Sequence, residues 1–269
     1  MAQIRIATVE YLNSLPFQYG IEESGLVDAQ LRLATPAECS TLLHSEEVDV
    51  ALIPIAAIDA LNSNLPEDAQ LQIVTSHCIG TNGAVRTVTL MSDDELKDIK
   101  RIWLDTDSQT SVRLLAYLCK NHFGISPEWH RLTDKKRLAH PKDGDAFLLI
   151  GDKVFAHEAE FEFVVDLAEE WVARENQPFV FAAWCVRGDN PVVNEEVLSN
   201  LDEALTWGVE HTFEALQALR PDVEIEEGYR YLTENIDTLL DNAKMAAMKH
   251  FLGSKCTISI TSNDGEDQQ

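Results

Sequence analysis

The sequence is short of basic residues, and this shortage argues against several classes of partner. Its 21 lysines and arginines stand against 46 aspartates and glutamates, giving a formal net charge of −25 at pH 7. Nucleic acids and anionic membranes bind proteins largely through lysine and arginine contacts to phosphates. We therefore expect neither a nucleic-acid partner nor a membrane partner. A small anionic ligand would need local donors such as helix N-termini, amides and hydroxyls.

The sequence also lacks the features that mark membrane insertion, secretion and disulfide bonding. No apolar run approaches the roughly 18 residues that a membrane-spanning helix requires. No basic segment followed by an apolar one opens the chain, so a secretory signal is not indicated. The five cysteines are odd in number and form no Cys-x-x-Cys pair or Cys/His cluster at metal spacing. We predict a cytoplasmic protein without disulfides and without a bound metal.

Common signatures of cofactor and nucleotide chemistry are missing as well. The chain contains no Gly-x-Gly-x-x-Gly turn, no phosphate-binding Gly-Lys-Ser/Thr loop, no His-Glu-x-x-His helix and no Gly-x-Ser-x-Gly elbow. The eight histidines are scattered along the chain. We predict no cofactor.

What the sequence does contain is a regular alternation of strand-like and helix-like segments. This alternation is typical of an α/β protein with largely parallel sheets. Breaks near residues 83 and 187 predict two lobes with a small-molecule cleft between them. We assign residues 1–84 to the first part of lobe 1, 85–186 to lobe 2, 187–260 to C-terminal helices that return to lobe 1, and 261–269 to a disordered tail. Residues 85–91 alternate as a strand, and residues 236–252 are predicted to be helical.

The first strand ends in a group of polar residues. After residues 4–9, the chain continues as Tyr11-Leu12-Asn13-Ser14, and a proline two residues later suits the first turn of a helix. An amide and a hydroxyl thus follow the carboxyl end of a strand, where open α/β sheets bind ligands. Alternatively, Asn13 or Ser14 only caps the helix.

A second polar group lies at a later junction between a strand and a helix. Residues 99–104 are predicted to be a strand and residues 112–122 a helix, with Ser108, Thr110 and Ser111 between them. The free N–H groups and dipole of a helix start favour a carboxylate or phosphate. Simple capping would need only one of these hydroxyls. Asp152, after another apolar strand, is either an acid in the cleft or a helix cap.

Six segments in register along the chain resemble the chorismate dehydratase family of the futalosine route to menaquinone. They are residues 9–16, 48–54, 83–88, 108–114, 149–152 and 178–184. The resemblance implies a two-lobed fold like that of type II periplasmic binding proteins. It also implies a lyase that removes water from chorismate, without a cofactor, to give 3-[(1-carboxyvinyl)oxy]benzoate.

The resemblance also implies a set of site residues. Asn13 and Thr87 correspond to the catalytic positions, and Thr110 and Ser111 to a carboxylate-holding helix start. We predict that the remaining substrate contacts come from Tyr11, Ser14, Pro54, Thr81, Ser108 and Asp152. Ser108, Thr110 and Ser111 would hold one carboxylate, while Asn13, Ser14 and Thr87 would orient the other end and the departing C4 hydroxyl.

The chain departs from the family pattern at three positions. Thr87 replaces a commoner serine and adds a methyl group, and Ala84 replaces a common proline. Asp105 stands where a small or polar residue is usual, and an acid beside a dianion is unfavourable unless it points away. Two other functions stay open. They are a cytoplasmic binding protein or sensor for a small dicarboxylate, and the related 1,4-dihydroxy-6-naphthoate synthase.

Overall fold

A computed structural model describes residues 3–105, 107–219, 222–254 and 256, which fold into two α/β lobes with a cavity between them. The predicted tail, 261–269, lies outside the described residues. The strands are β1 (Ile4–Val9), β2 (Ala29–Ala34), β3 (Val50–Pro54), β4 (Leu71–Thr81), β5 (Val88–Ser92), β6 (Arg101–Leu104), β7 (Glu128–Arg131), β8 (Asp145–Ile150), β9 (Phe163–Asp166), β10 (Phe179–Arg187) and β11 (Asp237–Leu239). The helices are α1 (Leu15–Glu23), α2 (Pro36–His44), α3 (Ile55–Asn62), α4 (Gln109–Leu118), α5 (Lys153–His157), α6 (Leu167–Glu175), α7 (Glu195–Glu210), α8 (Thr212–Leu219), α9 (Ile225–Arg230) and α10 (Asn242–Gly253).

Lobe 1 is built on a six-stranded sheet with the order β11-β4-β10-β3-β1-β2. β1 pairs in parallel with β2 and β3, whereas β10 pairs antiparallel with β3 and β4. The central strands β3 and β10 are almost continuously apolar and buried, as expected where both faces of a sheet are covered. By its hydrogen bonds β10 belongs to this sheet, although the sequence analysis placed residues 179–186 in lobe 2.

Lobe 2 is built on a five-stranded sheet with the order β7-β6-β8-β5-β9. β6 pairs in parallel with β7 and β8, whereas β5 pairs antiparallel with β8 and β9. The prediction of largely parallel sheets is therefore wrong, because both sheets are mixed. β5 and β10 are each the first strand after the chain crosses between the lobes, and each enters its sheet against the direction of its neighbours.

Two predicted segments differ from the structure for identifiable reasons. The predicted strand 85–91 starts only at Val88, because Arg86 has a φ of 66° that breaks the extended backbone. Thr87 thus lies in the crossover rather than within a strand. The predicted helix 236–252 instead contains β11, which pairs with β4, followed by α10, whose N-cap Asp241 accepts from the Lys244 N–H. Pairing with a strand distant in sequence overrode the local helical pattern.

The C-terminal helices pack on lobe 1 by a close backbone approach. A Cβ at Gly20 of α1 would lie 2.1 Å from the carbonyl oxygen of Ala204 in α7, and one at Gly208 would lie 2.0 Å from that of Pro16. Only glycine fits at this crossing. Within the described part of the chain, no helix combines the length and apolarity needed to cross a membrane.

Candidate active site

A cavity with about 460 Å³ of empty space, part of it open to solvent, lies between the lobes. Both lobes and the crossover before β5 contribute to its wall. The lining residues are Val9, Tyr11, Asn13, Pro36, Pro54, Ile79, Val85, Thr87, Val88, Ser108, Ser111, Ile150, Gly151, Phe181 and Ala182.

Six of the predicted site residues meet in this wall, because strand ends and helix starts from both lobes converge there. They are Tyr11, Asn13, Pro54, Thr87, Ser108 and Ser111. The short helical turn Leu12–Ser14 follows β1 and carries Asn13, and Pro54 ends β3. Ser108 follows β6 as the N-cap of α4. Residues at strand ends and helix starts of both lobes therefore line one cavity, and their roles toward a ligand stay predictions.

Three helix N-termini point their partial positive charge toward the cavity. Pro36 begins α2, Pro54 is the N-cap of α3 and Ser108 is the N-cap of α4, and all three line the wall. Among the described lining residues there is no lysine, arginine or histidine. The dipoles and free N–H groups of helix starts favour anions. An anion can therefore be bound here even though the chain as a whole is strongly acidic.

At the α4 end of the cavity, two serines share one hydrogen-bond arrangement. Ser108 Oγ accepts from the Ser111 N–H at 3.3 Å and from the Ser111 hydroxyl at 3.1 Å. Because both bonds are accepted, the proton of Ser108 is left free to donate. This end of the cavity therefore presents donors, which suits a group that only accepts, such as a carboxylate.

Around Asn13, which we call the Asn13 end of the cavity, an amide and two hydroxyls form a second cluster. Thr87 Oγ1 lies 2.7 Å from the hydroxyl oxygen of Tyr231, and both side chains are buried. Asn13 Oδ1 is shielded from solvent and has no hydrogen-bond partner among the described residues. Buried polar atoms in native proteins are nearly always paired. An unpaired acceptor in a cavity wall therefore indicates a position where a ligand donates a hydrogen bond.

The Tyr11 ring closes the cavity against lobe 2. Gly151 has a φ of 65°, and a Cβ at this position would lie 2.8 Å from the Tyr11 ring. Gly151 also donates its N–H to the Thr87 carbonyl at 2.9 Å. Burial raises the pKa of the Tyr11 hydroxyl, so this side chain stays neutral. Only glycine allows the ring to lie this close.

Four predicted site residues lie outside the cavity wall as described. The Ser14 hydroxyl donates to the Val9 carbonyl and accepts from Gln18 at 2.9 Å, rather than capping α1. Thr110 Oγ1 donates to the Phe181 carbonyl at 3.0 Å and accepts from the Ala56 N–H at 3.2 Å. Both hydroxyls are thus committed to holding the polypeptide around the cavity.

The other two lie at the edges of the lobe interface. Thr81 lines a separate cavity of about 1,170 Å³, much of it open to solvent, beside the crossover from β4. The Asp152 carboxylate accepts the Leu12 N–H across the interface, at 3.0 and 3.1 Å. Partial removal from water raises the pKa of Asp152, and the Leu12 N–H acts in the opposite direction. Asp152 therefore fixes the segment that presents Asn13.

The unusual acid Asp105 is neutralised by a neighbouring lysine. Lys153 Nζ lies 2.6 Å from Asp105 Oδ2 and 2.8 Å from Asp107 Oδ2. Burial raises the pKa of Asp105, whereas at Asp107 burial is opposed by Lys153 together with hydrogen bonds from Asp105 and Tyr11, and the pKa is lowered. Asp105 is not among the lining residues, so its charge is directed to Lys153 rather than to the cavity.

Tyr231 is a hydroxyl-bearing residue at this site that was not predicted from the sequence. It lies in the π-helical turn Tyr231–Asn235, which follows α9, and it is 144 positions from Thr87. A lone aromatic in a helical segment is ordinarily a core residue, and no local pattern would single it out. Among the described residues, no group of three or more histidine, cysteine or acidic side chains is arranged to hold a metal.

Two sequence comparisons identify relatives of this chain. A family model described as "Menaquinone biosynthesis" matches residues 4–255. A chorismate dehydratase from Thermus thermophilus is 31% identical over 198 residues, which cover 67% of this chain and 69% of that protein.

The similar solved structures share the two-lobed fold. A protein from Archaeoglobus fulgidus aligns with a TM-score of 0.70 at 16% identity, over 94% of this chain and 96% of that one. A Candida albicans protein with the generic periplasmic binding protein fold gives 0.67 at 13% identity, over 99% of both chains. The alkanesulfonate-binding protein of Xanthomonas axonopodis pv. citri, bound to MOPS, gives 0.64 at 14% identity, over 93% and 91%. These identities show the fold alone, and the predicted periplasmic-binding-protein-like fold is confirmed.

Proposed function

The chain belongs to the menaquinone biosynthesis family, and we propose that it is a carbon–oxygen lyase that dehydrates chorismate to 3-[(1-carboxyvinyl)oxy]benzoate. The similarity to the Thermus enzyme supports this activity, and so does the chemistry of the cavity. The observations that carry the proposal are the unpaired Oδ1 of Asn13 and, in the same cavity wall, a helix start where the Ser108 hydroxyl is free to donate.

The two ends of the cavity match the two kinds of polar group on chorismate. A carboxylate only accepts hydrogen bonds, whereas a hydroxyl both donates and accepts. The Ser108 hydroxyl and the N-terminus of α4 would hold one carboxylate. Asn13 Oδ1 and the Thr87 hydroxyl would bind the C4 hydroxyl that leaves. The N-termini of α2 and α3 would supply positive potential for the second carboxylate.

The proposed reaction is an elimination without any change of redox state. C3 loses a proton, and the C4–O bond breaks with its electron pair going to oxygen. The departing hydroxide takes up one proton, which balances the proton lost from C3, and leaves as water while the ring becomes aromatic. Tyr11 carries the one acidic or basic side chain among the described lining residues, and burial keeps it protonated. A carboxylate of the substrate would therefore accept the C3 proton. The protein would contribute orientation and hydrogen bonds to the departing oxygen.

Incubation with chorismate tests the proposal directly. We expect the ring protons of an aromatic product in the NMR spectrum, growing in proportion to protein concentration and without added cofactor. Protein carrying Asn13→Ala, purified in parallel, serves as the control for a contaminating activity. Chorismate that is bound but recovered unchanged would contradict the proposal and favour a binding protein, which the alkanesulfonate-binding neighbour keeps as the second candidate. The cytoplasmic location stays a prediction, which cell fractionation would test.

A further inference from the structure

We propose that Tyr231 is a positioning residue that directs the Thr87 hydroxyl proton into the cavity. This inference rests on the proposed dehydration. It adds the C-terminal helical segment to a site otherwise built from residues 9–182.

Tyr231 is buried directly beside Thr87. Its hydroxyl oxygen lies 2.7 Å from Thr87 Oγ1, and the residue is only 1% exposed. The ring packs edge-on against Phe155, with centroids 5.4 Å apart. Asn235, at the end of the same π-helical turn, donates to the Ala84 carbonyl at 3.0 Å. That turn is therefore fastened to the crossover segment that carries Thr87.

The role of Tyr231 depends on where the two hydroxyl protons of Tyr231 and Thr87 lie. Tyr231 and Thr87 each own one hydroxyl proton and can each accept further bonds. A buried hydroxyl proton needs an acceptor, and Thr87 Oγ1 lies within hydrogen-bond distance of the Tyr231 hydroxyl. Burial raises the pKa of Tyr231, while its hydrogen bonds with Thr87 and Asn13 act the other way, so the phenol keeps its proton. Either oxygen of this pair could be the donor, and the proposed role assigns the donated proton to Tyr231.

Donation from Tyr231 to Thr87 leaves the Thr87 proton available to a ligand. Once Thr87 Oγ1 accepts from Tyr231, the proton of Thr87 is free to point at the ligand. Beside it, Asn13 Oδ1 is a buried acceptor without a partner. A substrate hydroxyl could therefore accept from Thr87 and donate to Asn13. If Thr87 instead donated its proton to Tyr231, Thr87 would have no proton left to donate to the departing oxygen.

Removal of the single hydroxyl tests this role. Tyr231→Phe keeps the ring and its packing on Phe155, so thermal melting should change little. We expect kcat for chorismate dehydration to fall about tenfold, the effect of one lost hydrogen bond in the transition state, while KM stays within about twofold. Tyr117→Phe is the matched control, because its buried hydroxyl donates to Glu175 at 2.7 Å, away from the cavity. That variant should keep both constants.

A second background separates positioning from packing. In protein that already carries Thr87→Val, Tyr231 has no hydroxyl to direct, so adding Tyr231→Phe should lower kcat less than twofold further. Full additivity of the two changes, or an unchanged kcat in Tyr231→Phe alone, would overturn the inference while leaving the proposed function intact. Parent protein that yields no aromatic product would overturn the proposed function and this inference with it.

Discussion

The two polar groups in the cavity wall, the Ser108 end and the Asn13 end, differ both in sequence and in their hydrogen bonds. The Ser108 end has three hydroxyl residues within four positions, and the Asn13 end has one amide and one threonine from distant segments. In the structure, Thr110 is committed to two backbone groups and Ser111 donates to Ser108. Only the sparser end holds a buried acceptor with no partner, at Asn13.

This difference shows that the number of polar residues does not measure the capacity to bind a ligand. The hydroxyl-rich end uses most of its groups to stabilise a helix start and to join the lobes. What it leaves over is the Ser108 proton and the positive end of α4, both suited to a carboxylate. The sparser end leaves over an acceptor and a donor. We therefore expect the chemistry at the Asn13 end and simple anchoring at the Ser108 end.

The largest effect should come from Asn13→Ala. Loss of an amide that contacts the reacting group typically lowers kcat by about 100-fold or more, and KM should change far less. Steady-state kinetics with chorismate measures both constants. Asn64→Ala, which removes an exposed amide bonded to the Ala60 carbonyl, is the control and should behave like the parent. Full activity in Asn13→Ala would place the chemistry elsewhere.

Ser108→Ala should show the opposite kinetic pattern. Because anchoring acts equally on substrate and transition state, KM should rise about tenfold while kcat stays nearly constant. The change also removes a helix cap, which costs about 1 kcal/mol of stability. Asn194→Ala removes a comparable cap from α7, far from the cavity, and should lower stability without raising KM. A kcat loss as large as that of Asn13→Ala would erase the distinction between the two ends.

Thr110→Val should affect stability more than catalysis. The isosteric change leaves the Ala56 N–H and the Phe181 carbonyl without their partner, at a cost of about 1–3 kcal/mol in the free energy of unfolding. Urea denaturation measures this loss, and kinetics at a temperature where the variant is folded should show a nearly normal KM. A tenfold rise in KM at unchanged stability would instead mean that Thr110 contacts the ligand.

The smallest effect is a pH dependence from Asp152, which supports the Asn13 end through Leu12. Its pKa is raised in the folded protein, so the folded state takes up a proton before the unfolded state as the pH falls. The free energy of unfolding of the parent, relative to Asp152→Asn, should therefore increase as the pH is lowered from neutral through that raised pKa. Because the residue is exposed overall, solvent screens the charge and the difference should be small. A parallel pH dependence in both proteins would contradict this assignment.

Much of the fold could be predicted from the sequence, because strands and helices have local signatures. The strand predicted at residues 4–9 is β1, the strand predicted at 99–104 contains β6, and the helix predicted at 112–122 overlaps α4. Strand direction could not be predicted in the same way. The position of β10 between β3 and β4 depends on pairing between residues far apart in sequence.

The site was predictable only in part, for a related reason. Sequence identifies which residues carry amides and hydroxyls, and strand ends indicate which of them converge. Whether a hydroxyl is free depends on what lies beside it in space. Ser14 and Thr110 bond to backbone groups that no spacing rule connects to them, and Tyr231 reaches Thr87 from the other end of the chain.

The position of β10 also has a consequence for how the polypeptide acquires its structure during synthesis. In the sheet of lobe 1, β10 lies between β3 and β4 and ends at Arg187. The part of the sheet that contains β1, β2 and β3 therefore cannot be joined to β4 until Arg187 has been synthesised. The sheet of lobe 2 comes from one unbroken stretch, from β5 to β9. We therefore expect the later-starting lobe to fold first on the ribosome, and the N-terminal segment that bears Asn13 to wait for its partners.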